Sequence, residues 1–179
     1  MIGRIEVITG CMFSGKTEEL IKRVTQAKEE ENKSVIVFKP IQDTRYLEDI
    51  VRSHSQLELP CVTVDLADEI FDELNGEEVI GIDEGQFFDP EIIGICSLLS
   101  RRGHRVIVAG LDLDSKGKPF GPIPELMAIA EEVVKKAAIC TVCGAPAYRT
   151  QRTSTEEERI VIGAEDKYEP RCLEHWTRR

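Results

Sequence analysis

Gly10-Cys11-Met12-Phe13-Ser14-Gly15-Lys16-Thr17 satisfies the pattern G-x-x-x-x-G-K-[ST] at every fixed position. The spacing suits phosphate: backbone N–H groups turn inward around the oxygens, and a following helix aims its positive end at them. Gly10 and Gly15 permit the wrap, Lys16 reaches the β and γ phosphates as a point charge, and the Thr17 hydroxyl is placed to ligate magnesium. A second chemical signal is the apolar run Val79-Ile80-Gly81-Ile82, which ends in Asp83 and Glu84. Phosphate-loop proteins put a carboxylate at such a strand end, close to the magnesium. A third is Cys140-x-x-Cys143 paired with Cys172-x-x-His175, a complete four-ligand set for tetrahedral zinc. With every position filled by protein, that zinc is expected to be structural.

These groups need elements to hold them. Ile5 to Thr9 reads as a buried strand, and Leu20, Ile21, Val24 and Ala27 carry a helical period to about Asn32. On that helix Glu18 with Lys22, and Glu19 with Arg23, stand at i, i+4 and predict a solvated face. Ser34 to Lys39 is a strand stopped by Pro40, and Ile41 to Pro60 has no period and reads as a long functional loop carrying Asp43, Arg45 and Tyr46. His54, also in it, has no evident partner and reads as structural. Cys61 to Asp65 predicts a strand, and Asp68 to Leu74 a short helix capped by Asp65 or Asp68 and stopped at Asn75-Gly76. A helix from Pro90 to Arg102 ends at Gly103, Arg105 to Gly110 is a further strand, and Leu126 to Val134 reads as another helix with a charged side in solvent. Between them Asp112, Asp114, Lys116, Gly117 and Phe120 occupy a loop at the ligand edge.

The alternation predicts an α/β fold of the P-loop NTPase type, a mostly parallel sheet flanked by helices, over residues 1–136. Residues 137–179 change character, with short strands around Cys140 to Cys143 and Ala147 to Thr150. That segment predicts a small zinc ribbon, because it has too few apolar residues for a core without a staple. The other three cysteines, Cys11, Cys61 and Cys96, read as small hydrophobes.

At 179 residues and 41% hydrophobic, the chain predicts one substantial core with an appendage. A formal net charge of −10 disfavours nucleic acid as a partner. No apolar run reaches membrane-span length, and the phosphate loop follows the start too closely for a secretory segment, so a cytoplasmic protein with reduced thiols is expected.

Taken in order, GCMFSGKT, KPIQDTRY, IDEGQFF, GLDLDSKGKPFG, AICTVCG, YRTQR, VIGAEDKY and RCLEH resemble the type II thymidine kinase family from Ile5 to His175. The resemblance implies transfer of the γ-phosphoryl of ATP to the 5′-hydroxyl of thymidine, and of deoxyuridine, with magnesium as cofactor and zinc as a structural ion. It assigns Glu84 to the hydroxyl proton, Asp83 to magnesium, Gly85 to the phosphate-binding set, and Gln86 to the acceptor's neighbourhood. Asp43 and Arg45 then stand near metal and phosphates. The base falls to a lasso matching Arg159, Ile160, Val161, Ile162 and Gly163, with Tyr168 behind it, Thr150 facing the 5-methyl, and Phe87 and Phe120 as apolar walls. Many family members carry Phe where this chain has Ser115, so one nucleoside wall is either missing or supplied from elsewhere. Cys11 replaces a common Pro, and a redox-sensitive thiol there is an expectation open to test. The resemblance further implies a homotetramer and feedback by thymidine triphosphate. An alternative is an ATP-binding switch or nucleic-acid-remodelling module, with the ribbon as its binding part.

Overall fold

Alternating β-branched runs and amphipathic helices build the sheet that carries these groups. The computed structural model describes residues 3–42, 50–53, 57–153 and 167–178. In chain order the elements are β1 (Arg4–Gly10), α1 (Lys16–Glu29), β2 (Val35–Pro40), β3 (Ile50–Arg52), β4 (Glu58–Pro60), β5 (Val62–Val64), α2 (Ile70–Glu73) and β6 (Val79–Ile82). They continue with α3 (Glu91–Arg101), β7 (Arg105–Gly110), α4 (Ile123–Ile129), β8 (Glu132–Lys136), β9 (Ala138–Ile139), β10 (Pro146–Ala147), β11 (Arg149–Arg152) and β12 (Tyr168–Arg171). Six strands form one sheet in the order β5-β2-β6-β7-β1-β8, every neighbouring pair parallel. The expected α/β architecture is present.

Strand alternation sends side chains to two cores. Ile5, Val7, Ile80, Ile82, Val106 and Val108 join Ile92, Ile95, Leu99, Ile123 and Leu126 of α3 and α4 on one face. Ile8, Val37, Val79, Ile107 and Ala109 meet Leu20, Ile21, Val24 and Ala27 of α1 on the other. Gly81 lets α1 lie close, since a Cβ there would stand 3.2 Å from Val24 and 3.4 Å from Leu20. No helix among the described residues is long and apolar enough to cross a membrane.

Several expectations are corrected. The helix read over Leu126 to Val134 ends at Ile129; Ala130 is extended, and Val133 and Val134 lie in β8, opposite Val7 and Ile8 of β1. Here an unpaired edge of β1 and two β-branched residues outweigh the helical period, and Glu131 locks the change by accepting the Ile5 N–H at 2.6 Å. The long loop after Pro40 contains a β3–β4 hairpin in its described part. Neither Asp65 nor Asp68 caps the turn before α2; the Ala67 N–H donates instead to Asp89, 3.1 Å away and remote in sequence. Around the metal motif the strands are β9, β10 and β11, and Thr141 to Cys143 form a turn. The three lone cysteines are buried, as expected.

Arg23 does not belong to a solvated face. It reaches Glu6, which is 1% exposed and receives hydrogen bonds from Arg23 at 2.6 Å, Arg105 at 2.6 Å and Arg4 at 2.7 Å. Burial pushes the Glu6 carboxyl up, but the three guanidiniums outweigh it and hold the pKa at about 2. The pKa is depressed on folding, so the stabilisation is complete above the ordinary value of 4.5 and is lost as pH falls toward 2. Thermal melts should therefore show stability declining across that window, less steeply in Glu6→Gln. At pH 7 the variant should be less stable by about 3 kcal/mol, because the three guanidiniums lose a shared buried anion, while Arg23 keeps Glu19 and Glu132 and Arg105 keeps Glu31. Parallel pH profiles for the two proteins would remove Glu6 from this role.

Candidate active site

The phosphate loop joins the end of β1 to the start of α1. Its backbone takes the positive φ values that the glycine spacing predicts, 141° at Gly10 and 77° at Gly15, with Phe13 at 64°. A Cβ on Gly10 would stand 2.3 Å from the Lys136 carbonyl of β8, so that edge strand packs directly on the loop. The first N–H groups of α1 have no acceptor within the helix and face the loop. Lys16 Nζ donates to the Cys11 carbonyl at 2.9 Å, inside the curve of the loop. Ser14 Oγ is buried there with no hydrogen-bond partner among the described residues.

The acid pair sits beside it at the carboxyl end of β6, the edge where ligands bind in parallel sheets. The Thr17 hydroxyl lies 3.2 Å from both carboxylate oxygens of Asp83, joining two residues 66 positions apart. Glu84 adopts φ 50°, a left-handed conformation that is strained for a side chain of its size. Gln86, 3% exposed, donates through Nε2 to Glu84 and accepts the Leu111 N–H at 2.9 Å, tying the acid to the end of β7. Phe87 and Phe120 meet edge to face with centroids 5.7 Å apart. Asp112 pairs with Lys135, and Asp114 accepts the N–H groups of Lys116 and Lys118, so both aspartates hold the shape of the loop after β7.

The ribbon closes on the phosphate loop. Cys140, Cys143, Cys172 and His175 have their donor atoms within 4.8 Å of one another. Cys143 Sγ lies 3.7 Å from Cys172 Sγ, close to the edge of a tetrahedron with metal–sulfur legs of about 2.3 Å. The donor set therefore fits a four-coordinate metal. Burial raises the Cys140 thiol, but N–H groups of Cys172, Cys143 and Val142 pointing at its sulfur bring the pKa down to about 6, which favours the ligating thiolate.

Cys11 Sγ donates to the Ala147 carbonyl at 3.2 Å and packs with Ala138, Cys140 and Ala147. Burial pushes its thiol pKa up, so the structure argues against the reactive thiolate that a redox role needs. One residue further on, the Met12 N–H donates to the Thr150 hydroxyl at 3.1 Å. Thr150 is 3% exposed, and Tyr168 pairs with Arg152 across β11 and β12, the Arg152 guanidinium 5.5 Å from its ring. Ser115 is half-buried in the loop after β7.

The fold thus brings the phosphate loop, Asp83, Glu84, Gln86, Thr150 and the metal ligands onto one end of the molecule. Asp43, Arg45, Tyr46, His54, Arg159, Ile160, Val161, Ile162 and Gly163 lie outside the described residues. Lys136, Arg152 and Trp176 stand at the site without having been singled out by sequence. Only Trp176 carried a usable signal, as the sole tryptophan and the neighbour of a metal ligand.

Fold and site define an α/β protein of the phosphate-loop nucleotide-binding class bearing a Cys3His ribbon. A thymidine kinase family model matches residues 3–176. The chain is 52% identical over 171 residues to a thymidine kinase from a Rhodothermus species, covering 96% of this chain and 80% of that protein. It is 50% identical over 175 residues to a thymidine kinase from Bdellovibrio bacteriovorus, covering 97% of this chain and 85% of that one. The chain belongs to the thymidine kinase family.

Proposed function

We propose that the protein transfers the γ-phosphoryl of ATP to the 5′-hydroxyl of thymidine, and of deoxyuridine, in the cytoplasm. The observation that carries the reading is the meeting of Thr17 with Asp83 at 3.2 Å, with Glu84 next in the chain, in a member of this family. Lys16 and the α1 N-terminus hold the β and γ phosphates, and Thr17 with Asp83 holds magnesium, with Asp43 and Arg45 near metal and phosphates. A magnesium ion held there would supply positive charge against the charge that develops on the phosphoryl group during transfer.

Glu84 accepts the 5′-hydroxyl proton and, because phosphoryl transfer is loose, orients that hydroxyl as much as it deprotonates it. Gln86 steadies Glu84 at the acceptor side. Arg159 to Gly163 bond the base through their backbone, Tyr168 backs them, and Thr150 leaves room for the 5-methyl. Phe87, Phe120 and Ser115 line the nucleoside. Residues 1–136 form the kinase unit and 137–179 a ribbon that a zinc ion on Cys140, Cys143, Cys172 and His175 supports. A homotetramer restrained by thymidine triphosphate completes the proposal.

A coupled assay of ADP release should show turnover that depends on thymidine and magnesium and ignores DNA. Stimulation by DNA without thymidine would favour the remodelling reading instead, against which stand the net charge of −10 and the family.

A further inference from the structure

Beyond the metal ligands, the C-terminal segment reaches both sides of the nucleoside end of the site. Trp176 follows His175 and is half-buried. Its indole Nε1–H donates to the Thr150 carbonyl at 3.2 Å, and in the next residue the Thr177 N–H donates to Gln151 Oε1 at 2.8 Å, which stitches this segment along β11. The other end of the indole lies on Gly117, where a Cβ would stand 2.8 Å from Cη2 and 3.1 Å from Cζ2.

Gly117 sits at the tip of a tight turn. Its N–H donates to the Asp114 carbonyl at 2.9 Å, and Leu113 bridges to Pro119 across the base of the turn. Phe120 follows immediately, with its ring against Phe87. Thr150 is in turn held by its hydroxyl to Met12 of the phosphate loop. One rigid ring therefore spans the strand that carries Thr150 and the loop that carries Ser115 and Phe120.

We propose that Trp176 is a positioning residue for the nucleoside, setting the spacing between Thr150 and the turn at Gly117 and so the width of the acceptor pocket. The inference rests on the thymidine reading above and adds to it a residue outside the family blocks that suggested it. An indole suits the task because it is flat, stiff and polar at one edge, so it packs on backbone while its N–H fixes the angle of the ring.

Trp176→Ala, Trp176→Phe and Gly117→Ala test it, with thymidine and ATP each varied at saturation of the other. In Trp176→Ala the KM for thymidine should rise about tenfold while the KM for ATP stays within about twofold. Trp176→Phe keeps a smaller aromatic ring but lacks the N–H and should fall between. Gly117→Ala should act in the same direction by pushing the ring away, its φ of 70° adding strain. Bound metal per chain and the melting temperature are measured alongside. Because Trp176 is the only tryptophan, its emission should also change on adding thymidine to the wild type.

An unchanged thymidine KM in a folded, metal-loaded Trp176→Ala protein overturns the inference and leaves the kinase reading intact. Equal loss for both substrates, or loss of metal, overturns it in favour of general support for the ribbon. A metal-loaded wild type that fails to phosphorylate thymidine overturns the kinase reading itself, and this inference with it.

Discussion

Replacing Glu84 with Gln should lower turnover about 10²- to 10⁴-fold, the usual worth of a positioned general base, while ATP binding stays near normal. The substitution keeps volume and backbone. Glu84 holds φ 50° between the end of β6 and a tight turn, and an amide there can still meet Gln86, so little should change in the fold. What disappears is the negative charge and the capacity to take a proton. Because the same carboxylate also orients the hydroxyl, Glu84→Asp should lose a substantial part of the rate too: its charge remains but its reach is shorter by a methylene. Steady-state rates, with calorimetry of a non-hydrolysable ATP analogue, separate the two substrates. Turnover of Glu84→Gln within about threefold of wild type would remove Glu84 from the proton-accepting role.

The second large effect is expected at the ribbon. Cys140→Ala should abolish tight metal binding and thymidine turnover while the six-stranded sheet stays folded. Of the four ligands Cys140 is the most deeply placed, 2% exposed and packed with Cys11 and Ala147. Among the described residues, the segment around it contains only paired two-stranded ribbons, β9 with β10 and β11 with β12, so apolar burial alone is not expected to hold it. Structural zinc contributes about 10–16 kcal/mol to small units of this kind, and binding energy there is folding energy. Loss of the metal should therefore release the ribbon first, and with it the Thr150 hydroxyl from Met12 and the Cys11 thiol from Ala147. Metal analysis and limited proteolysis provide the check: cleavage should concentrate beyond residue 136, and a strong chelator should reproduce the pattern in the wild type. Full thymidine turnover in metal-free protein would sink the structural role.

Local signals fared differently from long-range ones. The phosphate loop was legible because its demand is local: glycine at Gly10 and Gly15 answers φ values of 141° and 77° that few other residues adopt. The helical period of Leu20, Ile21, Val24 and Ala27 likewise reads straight onto the buried face of α1. Val133 and Val134 misled because two apolar residues fit either period, and the choice was made by β1, more than 120 positions away, needing a partner at its edge. Arg23 misled for a related reason. Its i, i+4 partner Glu19 is real, at 3.1 Å, but spacing along one helix says nothing of a buried carboxylate on a neighbouring strand.

Sequence patterns alone point to the kind of chemistry: phosphate at Gly10 to Thr17, an acid pair at Asp83 and Glu84, and a candidate metal set at Cys140, Cys143, Cys172 and His175. The loop, the acid pair and each half of the metal set depend on residue types at short spacings, where the backbone alone brings the groups together; the two halves, Cys140 with Cys143 and Cys172 with His175, meet only through the fold of the ribbon. Long-range packing is what joins these parts into one site. Thr17 meets Asp83 because β1 and β6 lie in one parallel sheet, Met12 meets Thr150 because the ribbon folds back over the loop, and Trp176 reaches Gly117 across a turn. Those contacts join residues 59 to 138 positions apart in the chain. Their loop-closure cost is met by packing shared across the whole molecule, and no short stretch of sequence carries that term.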